Sequence, residues 1–189
     1  MDLQNLRTEK MKISRSLMLG VAFAFVLGTG VAVAQSDVYA PSNLGGYGFE
    51  GFYAGVLLGG VFDSTSAYLS GPDVNAFSAG LAVGVNFYLT ESVIGGLEVQ
   101  GGANFATTAT TFDALGLARL GFAPGDEFMV YGAAGLGAIA GNGVYAFGAG
   151  VEGAVMQSVS VRGEVLGLGT WGAAPNAMKA TAGLIWRMQ

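Results

Sequence analysis

The chain contains no cysteine, so neither disulfides nor thiolate metal sites are available to it. It contains no histidine either, which removes the commonest general base and the commonest metal ligand. Charge is scarce: only 11% of the residues are Asp, Glu, Lys or Arg, against about a quarter in ordinary soluble domains. Although 52% of the residues are hydrophobic, no stretch beyond the N-terminus approaches the ~20 apolar residues that cross a bilayer as a helix. Gly, Ser, Thr and Asn interrupt the apolar residues at every second or third position. An apolar chain without helical spans is left with the closed β-barrel, the other structure that satisfies its backbone hydrogen bonds in lipid.

The period of two is clearest from Val144 to Gly169. Tyr145, Phe147, Ala149, Val151, Gly153 and Val155 share one parity; Ala146, Gly148, Gly150, Glu152 and Ala154 share the other. The polar pair Gln157 and Ser158 interrupts the run. Val159, Val161, Gly163 and Val165 then alternate with Ser160, Arg162, Glu164 and Leu166. This pattern predicts a β-hairpin. Its charges fall on the face of small residues, opposite a continuous face of Val, Tyr and Phe. A soluble sheet turns its apolar face to a core, whereas a barrel in lipid turns it outward and keeps charge in the lumen.

At 189 residues the chain suits one domain. Lys12 and Arg15 precede an apolar run from Leu17 to Val33 that ends in Ala32-Val33-Ala34, the layout of a cleaved secretory signal peptide. The expected organisation is a signal peptide over 1–34, a short periplasmic lead-in over 35–50 and a barrel domain over 51–189. Met11 serves as a start as well as Met1 does. Setting aside Arg7, Lys10, Lys12 and Arg15 with Asp2 and Glu9 leaves four basic against eleven acidic residues. Such a chain has no electrostatic footprint for nucleic acid.

Strands are predicted at about 51–62, 76–89, 93–105, 111–122, 127–140, 143–156, 159–169 and 178–188. Each reaches the ~9–11 residues that a tilted strand needs to cross a bilayer. The expected fold is therefore all-β, an eight-stranded antiparallel up-and-down transmembrane β-barrel. Short turns at 90–92, 124–126 and 157–158 alternate with longer connections, of which 63–75 and 170–177 are the longest. That asymmetry predicts periplasmic turns and external loops. Phe52, Tyr53, Phe87, Tyr88, Phe122, Phe128, Tyr131 and Trp186 lie near the turn ends. Phe62, Phe77, Phe105, Phe112, Tyr145 and Trp171 lie near the loop ends. Two such clusters around an apolar band are expected of interfacial girdles. In the second strand, Phe77, Ala79, Leu81, Val83, Val85 and Phe87 are expected to face lipid, with Ser78, Gly80, Ala82, Gly84, Asn86 and Tyr88 inside. The fifth strand is apolar on both faces, and its parity stays open.

Parity directs Glu98, Arg119, Glu152, Arg162 and Glu164 to the lumen, with Lys179 and Arg187 of the last strand. Arg119, Glu152 and Arg162 each lie four or five residues from a turn and are expected to share one layer. An eight-stranded barrel is only just wide enough for side chains to fill, so these charges must pair. They are expected to form a structural plug, with no catalytic residue, cofactor or metal ligand assigned. Asp63, Asp73 and Asp113, near the outer strand ends, are expected to be solvated loop charges, with divalent cations or lipopolysaccharide sugars as the other partners weighed. The leading functional expectation is a non-enzymatic outer-membrane protein of the Gram-negative envelope with a structural or surface-interaction role. The alternatives are a narrow porin-like channel for ions or small solutes and a soluble ligand-binding barrel of lipocalin type. Expected partners are outer-membrane lipids, lipopolysaccharide and, during biogenesis, the outer-membrane assembly machinery; the oligomeric state stays open.

The stretches LARLGFAP (117–124), VYGAAGLGA (130–138), FGAGVE (147–152) and VSVRGE (159–164), with the opening GFYAG (51–55), resemble the small outer-membrane β-barrel family common in alphaproteobacteria. That family is related in shape to barrels of the OmpA/OmpX type. The resemblance spans roughly residues 50–188 and implies an eight-stranded outer-membrane barrel. Family members include surface antigens, envelope stabilisers and porin-like proteins. The chain departs from the family pattern at Leu117, where relatives often carry a second inward Arg. It also departs in a shorter loop between the last two strands, and at its end, Trp186-Arg187-Met188-Gln189, which lacks the terminal aromatic of the assembly signal.

Overall fold

A computed structural model describes residues 48–64, 68–69 and 73–188. The signal-peptide and cleavage-site expectations, and most of the lead-in, lie outside the described residues. Eight strands are present: β1 (Gly51–Asp63), β2 (Asn75–Tyr88), β3 (Val93–Phe105), β4 (Thr110–Phe122), β5 (Phe128–Ile139), β6 (Asn142–Met156), β7 (Val159–Gly169) and β8 (Ala177–Arg187). Every strand pairs antiparallel with its sequence neighbours, and β8 closes onto β1. The fold is a closed eight-stranded up-and-down barrel. The bounds expected from alternation hold to within one residue, because each strand ends where the period of two gives way to turn residues.

The connections follow local chemistry. Between β2 and β3, the backbone N–H groups of Leu89 and Thr90 donate to the Val93 carbonyl at 2.7 and 3.2 Å, and the Val93 N–H donates to Thr90 Oγ1 at 3.2 Å. The β5–β6 turn is made by Ala140 and Gly141 with φ of 51° and 82°. Successive positive φ values in a two-residue hairpin turn match the right-handed twist of its strands. At the opposite end, the β6–β7 hairpin slips its register between Ala154 and Met156, a bulge beside the Gln157–Ser158 turn.

The register is staggered around the barrel. Cα partners lead from Tyr53 through Gly84, Glu98, Leu117, Gly135, Ala146, Leu168 and Ala177 back to β1 at Asp63, ten residues above the start (63 against 53). Side chains on distant strands are thereby brought to the same height. The stagger is the shear that closure with tilted strands demands.

Outside and inside are inverted relative to a soluble sheet. Leu81, Leu97 and Leu120 are 61%, 59% and 60% exposed, while Glu98, Arg119, Glu152, Arg162, Glu164, Lys179 and Arg187 are all buried. The expected parities of β2, β6 and β7 agree with the observed burial. For β5 the structure settles what the sequence left open. Met129, Tyr131, Ala133 and Ile139 point inward, and Phe128, Val130, Ala134 and Leu136 point outward. Apart from the Tyr131 hydroxyl, its inward side chains carry no polar group, which explains the missing sequence signal.

Two elements of the aromatic girdles are corrected. Phe52, Phe87, Phe122, Phe128 and Trp186 are exposed at the turn end, as are Phe62, Phe77, Phe105, Phe112 and Trp171 at the loop end. Tyr53 and Tyr131, however, are buried within the barrel; Tyr88 is half-buried and inward, as its parity on β2 predicts. The Tyr53 and Tyr131 hydroxyls each find an inward carboxylate, Glu98 and Glu164, as buried phenols ordinarily need a partner. The register seats both buried rings over glycine: Tyr53 opposite Gly84 and Tyr131 opposite Gly150. A Cβ at either glycine would overlap the ring, so small residues on the inner face are what admit the tyrosines.

Candidate functional site

The inner charges gather toward the turn end, on β3, β4, β6, β7 and β8. Glu98 Oε2 accepts from Tyr53 Oη at 2.5 Å, from Arg162 Nη1 at 2.6 Å and from Arg119 Nη1 at 3.3 Å. Its Oε1 accepts from Gln100 Nε2 at 2.8 Å. Glu152, fully buried, receives Arg162 Nε and Nη2 at 3.3 and 3.1 Å on Oε2. Its Oε1 receives Ser160 Oγ at 2.7 Å and Arg187 Nη2 at 3.1 Å, and Arg119 Nη2 stands 3.6 Å from Oε2. The arginines Arg119, Arg162 and Arg187 are thus joined to two carboxylates. Desolvation of so many charges is compensated only because nearly every donor finds an acceptor.

Rings complete the cluster. The Arg119 guanidinium lies 3.7 Å from the Tyr131 ring centroid, and Arg162 lies 5.2 Å from that of Tyr53. Arg119 Nε and Nη2 have no hydrogen-bond partner; the stack on Tyr131 supplies a cation–π contact in their place. Tyr53 both donates to Glu98 and accepts from Arg119 Nη1 at 2.7 Å.

Glu164 differs from the other carboxylates. It pairs with no cation among the described residues, and accepts from Tyr131 Oη at 2.8 Å and from Gln100 Nε2 at 2.7 Å. Gln100 therefore spends both amide hydrogens on two carboxylates and links Glu164 to the arginine cluster. The five residues expected from parity do meet in one network, with Glu164 attached through an amide. Sequence reasoning missed Tyr53, Tyr131, Gln100 and Ser160 as members. For Tyr53, Gln100 and Ser160 the detectable signal was the inward parity they share with the charges, obscured for Tyr53 by the expectation of girdles; for Tyr131 the open parity of the fifth strand left no such signal.

A second, separate ion pair lies toward the loop end. Lys179 Nζ donates to Asp113 Oδ1 and Oδ2 at 2.7 and 2.6 Å, both residues buried. Asp113 is thus an inner residue and not a solvated loop charge, because its position on β4 shares the inward parity of Arg119. Asp63 is also drawn in: Oδ2 accepts from the backbone N–H groups of Tyr68 and Leu69 at 2.6 and 3.3 Å. Tyr68 Oη in turn donates to Asn176 Oδ1 at 3.0 Å, tying the β1–β2 and β7–β8 loops across the mouth. Only Asp73 of the three stays at the rim, where Thr108 donates to it through N–H at 2.9 Å and through Oγ1 at 2.6 Å. These hydrogen bonds hold the Asp73 carboxyl below its ordinary range.

On β4, Leu115 and Leu117 lie between Asp113 and Arg119 on the inner face, buried in one apolar cluster with Leu166. At the turn end Phe49 is buried as well, its carbonyl accepting from Asn86 Nδ2 at 3.0 Å and from Arg187 Nη1. The final residues before β1 are therefore part of the closed base. The carboxylates that acid–base chemistry would need are saturated by arginine and phenol donors, and Ser160, the hydroxyl nearest them, is fully buried beside Glu152.

No protein-family model matches the chain, and no curated protein matches it. Among solved structures, it is similar to the backbone structure of the Yersinia pestis outer membrane protein Ail in a phospholipid bilayer nanodisc. The match has 10% sequence identity and a TM-score of 0.45, and covers 72% of this chain and 99% of that one.

Proposed function

We propose that this chain is a non-enzymatic outer-membrane barrel of the Gram-negative envelope, exported by a cleaved signal peptide, with a structural or surface-interaction role. One observation carries the reading. The outer wall is an unbroken apolar surface, while every Lys and Arg after residue 15 is buried inside the barrel with acceptors. In water that surface would be an aggregation liability; in hydrocarbon it is the ordinary exterior of a spanning barrel. The same observation argues against a soluble lipocalin-type barrel.

The placement of the cations also bears on partners. With no Lys or Arg at either rim, contact with lipopolysaccharide phosphates has no direct cation to use. The reading therefore assigns lipopolysaccharide contact to sugar hydroxyls, to divalent cations shared with the rim carboxylate Asp73, and to rim aromatics such as Trp171, 70% exposed. Membership of the small alphaproteobacterial barrel family is part of the same proposal and rests on the motif resemblance.

A narrow channel is the second reading. It draws on polar groups up the β3–β4 wall, Gln100, Asn104, Thr111 and Asp113, which are inward and buried. The buried leucines Leu115, Leu117 and Leu166 and the arginine cluster oppose that reading. Single-channel recording in planar bilayers separates the two: the plugged barrel gives no stable conductance steps. Reproducible steps that change with substitution at Arg119 or Arg162 establish the channel.

A further inference from the structure

The loop end of the barrel is the longer one and the less charged. Its four connections, 64–74, 106–109, 140–141 and 170–176, hold twenty-four residues and one charged side chain, Asp73. The three connections at the turn end, 89–92, 123–127 and 157–158, hold eleven residues and three carboxylates, Glu91, Asp126 and Glu127. Glu50, exposed just before β1, adds a fourth to that end. No surface cation offsets them, since every described Lys and Arg is buried.

The inner charges do not alter this contrast. Arg162 holds Glu98 and Glu152, and Lys179 holds Asp113. Asp63, at the loop end of β1, is buried with its carboxylate on the Tyr68 and Leu69 amides. A barrel that enters a bilayer from one side must pass one of its ends through the hydrocarbon. Ionised side chains resist that passage strongly, and Gly, Ala, Ser and Thr far less. Passing the loop end takes one surface carboxylate across, itself hydrogen-bonded to Thr108. Passing the turn end takes four.

We propose that the nearly uncharged loop end is the leading face of this chain in membrane insertion, and that the acidic turn end holds the barrel to the side from which it entered. Orientation is then carried by the connections and needs no other protein to impose it. This direction rests on the outer-membrane reading above and adds its physical cause.

The lack of native cysteine makes the direction readable. Single variants Ala173→Cys at the loop end and Gln157→Cys at the turn end, both exposed sites, are made in the purified chain. Each is unfolded in urea and diluted into phosphatidylcholine vesicles that hold no other protein. Heat-modifiable gel mobility reports barrel formation, and a membrane-impermeant maleimide is then added outside. Nearly all Gln157→Cys molecules are expected to be labelled, and Ala173→Cys only once detergent opens the vesicles. Equal labelling of the two, or the reverse pattern, overturns the proposal while leaving a membrane barrel in place. A barrel that forms in micelles and not in vesicles overturns the outer-membrane reading, and this inference with it. Charge transfer supplies the second test. Ala173→Lys with Ala174→Lys is expected to slow insertion about tenfold, whereas Gln157→Lys with Ser158→Lys keeps the parent's rate. Equal rates for the two double variants overturn the leading role of the loop end. Slowing of the first in micelles as well, where nothing is crossed, assigns its effect to folding and overturns the link to charge.

Discussion

Arg162 on β7 and Glu98 on β3 meet at 2.6 Å, although their strands stand on opposite walls of the barrel. The bond spans the lumen and is shared with Tyr53 and Arg119 on Glu98 and with Glu152 on Arg162. On its own wall Arg162 already has Glu152 and Glu98 has Arg119; closure of the sheet adds the bond that joins the two pairs across the lumen.

Breaking that bond from one side leaves buried charge uncompensated. Arg162→Met is expected to destabilise the barrel by about 3–5 kcal/mol in urea unfolding. Adding Glu98→Gln to it removes one stranded carboxylate, so the double variant should be less damaged than the sum of the two single changes. Additive losses would mean that the pair is not coupled.

Glu164 depends on two neutral donors. Tyr131→Phe removes one of them, and the expected cost is about 1–3 kcal/mol because a buried carboxylate oxygen is left unsatisfied. Tyr145→Phe is the control: its phenol donates to the Ala173 carbonyl at 2.7 Å in an exposed setting, and its loss should cost only about 0.5–1.5 kcal/mol. Equal costs would contradict the distinct roles given to the two tyrosines.

The outward face is tested at Leu81, which sits midway along β2. Leu81→Arg is expected to weaken folding into lipid vesicles by about 2–4 kcal/mol, the cost of a cation at the bilayer midplane. If the variant folds into vesicles as well as the parent does, the wall does not face hydrocarbon.

Asp73 gives the rim a mild acid dependence. Its folded pKa is depressed, first by the Thr108 hydroxyl and then by the Thr108 N–H, so its contribution is present above the unfolded value, near 3.8, and is lost as pH falls through the folded value. Hydrogen exchange at the Thr108 amide should quicken, relative to its intrinsic rate, as pH is lowered through this range. Asp73→Asn should show the quicker exchange at neutral pH. An amide equally protected in both would remove the link.

The β5–β6 turn holds Ala140 at φ 51°, in the left-handed region that Asn tolerates better than Ala. Ala140→Asn is expected to raise stability by up to about 1 kcal/mol, seen as a higher unfolding midpoint without change in slope. A lower midpoint would indicate that Ala140 is held by contacts rather than by the turn.

Local periodicity determined much of this protein. The alternation set eight strands within a residue of their ends, told inside from outside on β2, β6 and β7, and put Glu98, Arg119, Glu152, Arg162 and Glu164 on the inner wall, because side-chain direction along a strand depends only on the count of residues. What periodicity does not contain is the stagger around the barrel, which relates heights on strands far apart in sequence. That stagger alone decided that Arg162 meets Glu98, that Lys179 meets Asp113, and that Glu164 is left to Tyr131 and Gln100. It also decided the hydrogen-bond partners of Tyr53 and Tyr131, whose nearness to strand ends suggested a lipid interface. Their rings point inward by their parity along the strand; the register with the neighbouring strand set a glycine beside each ring, and the stagger put a carboxylate within reach of each hydroxyl.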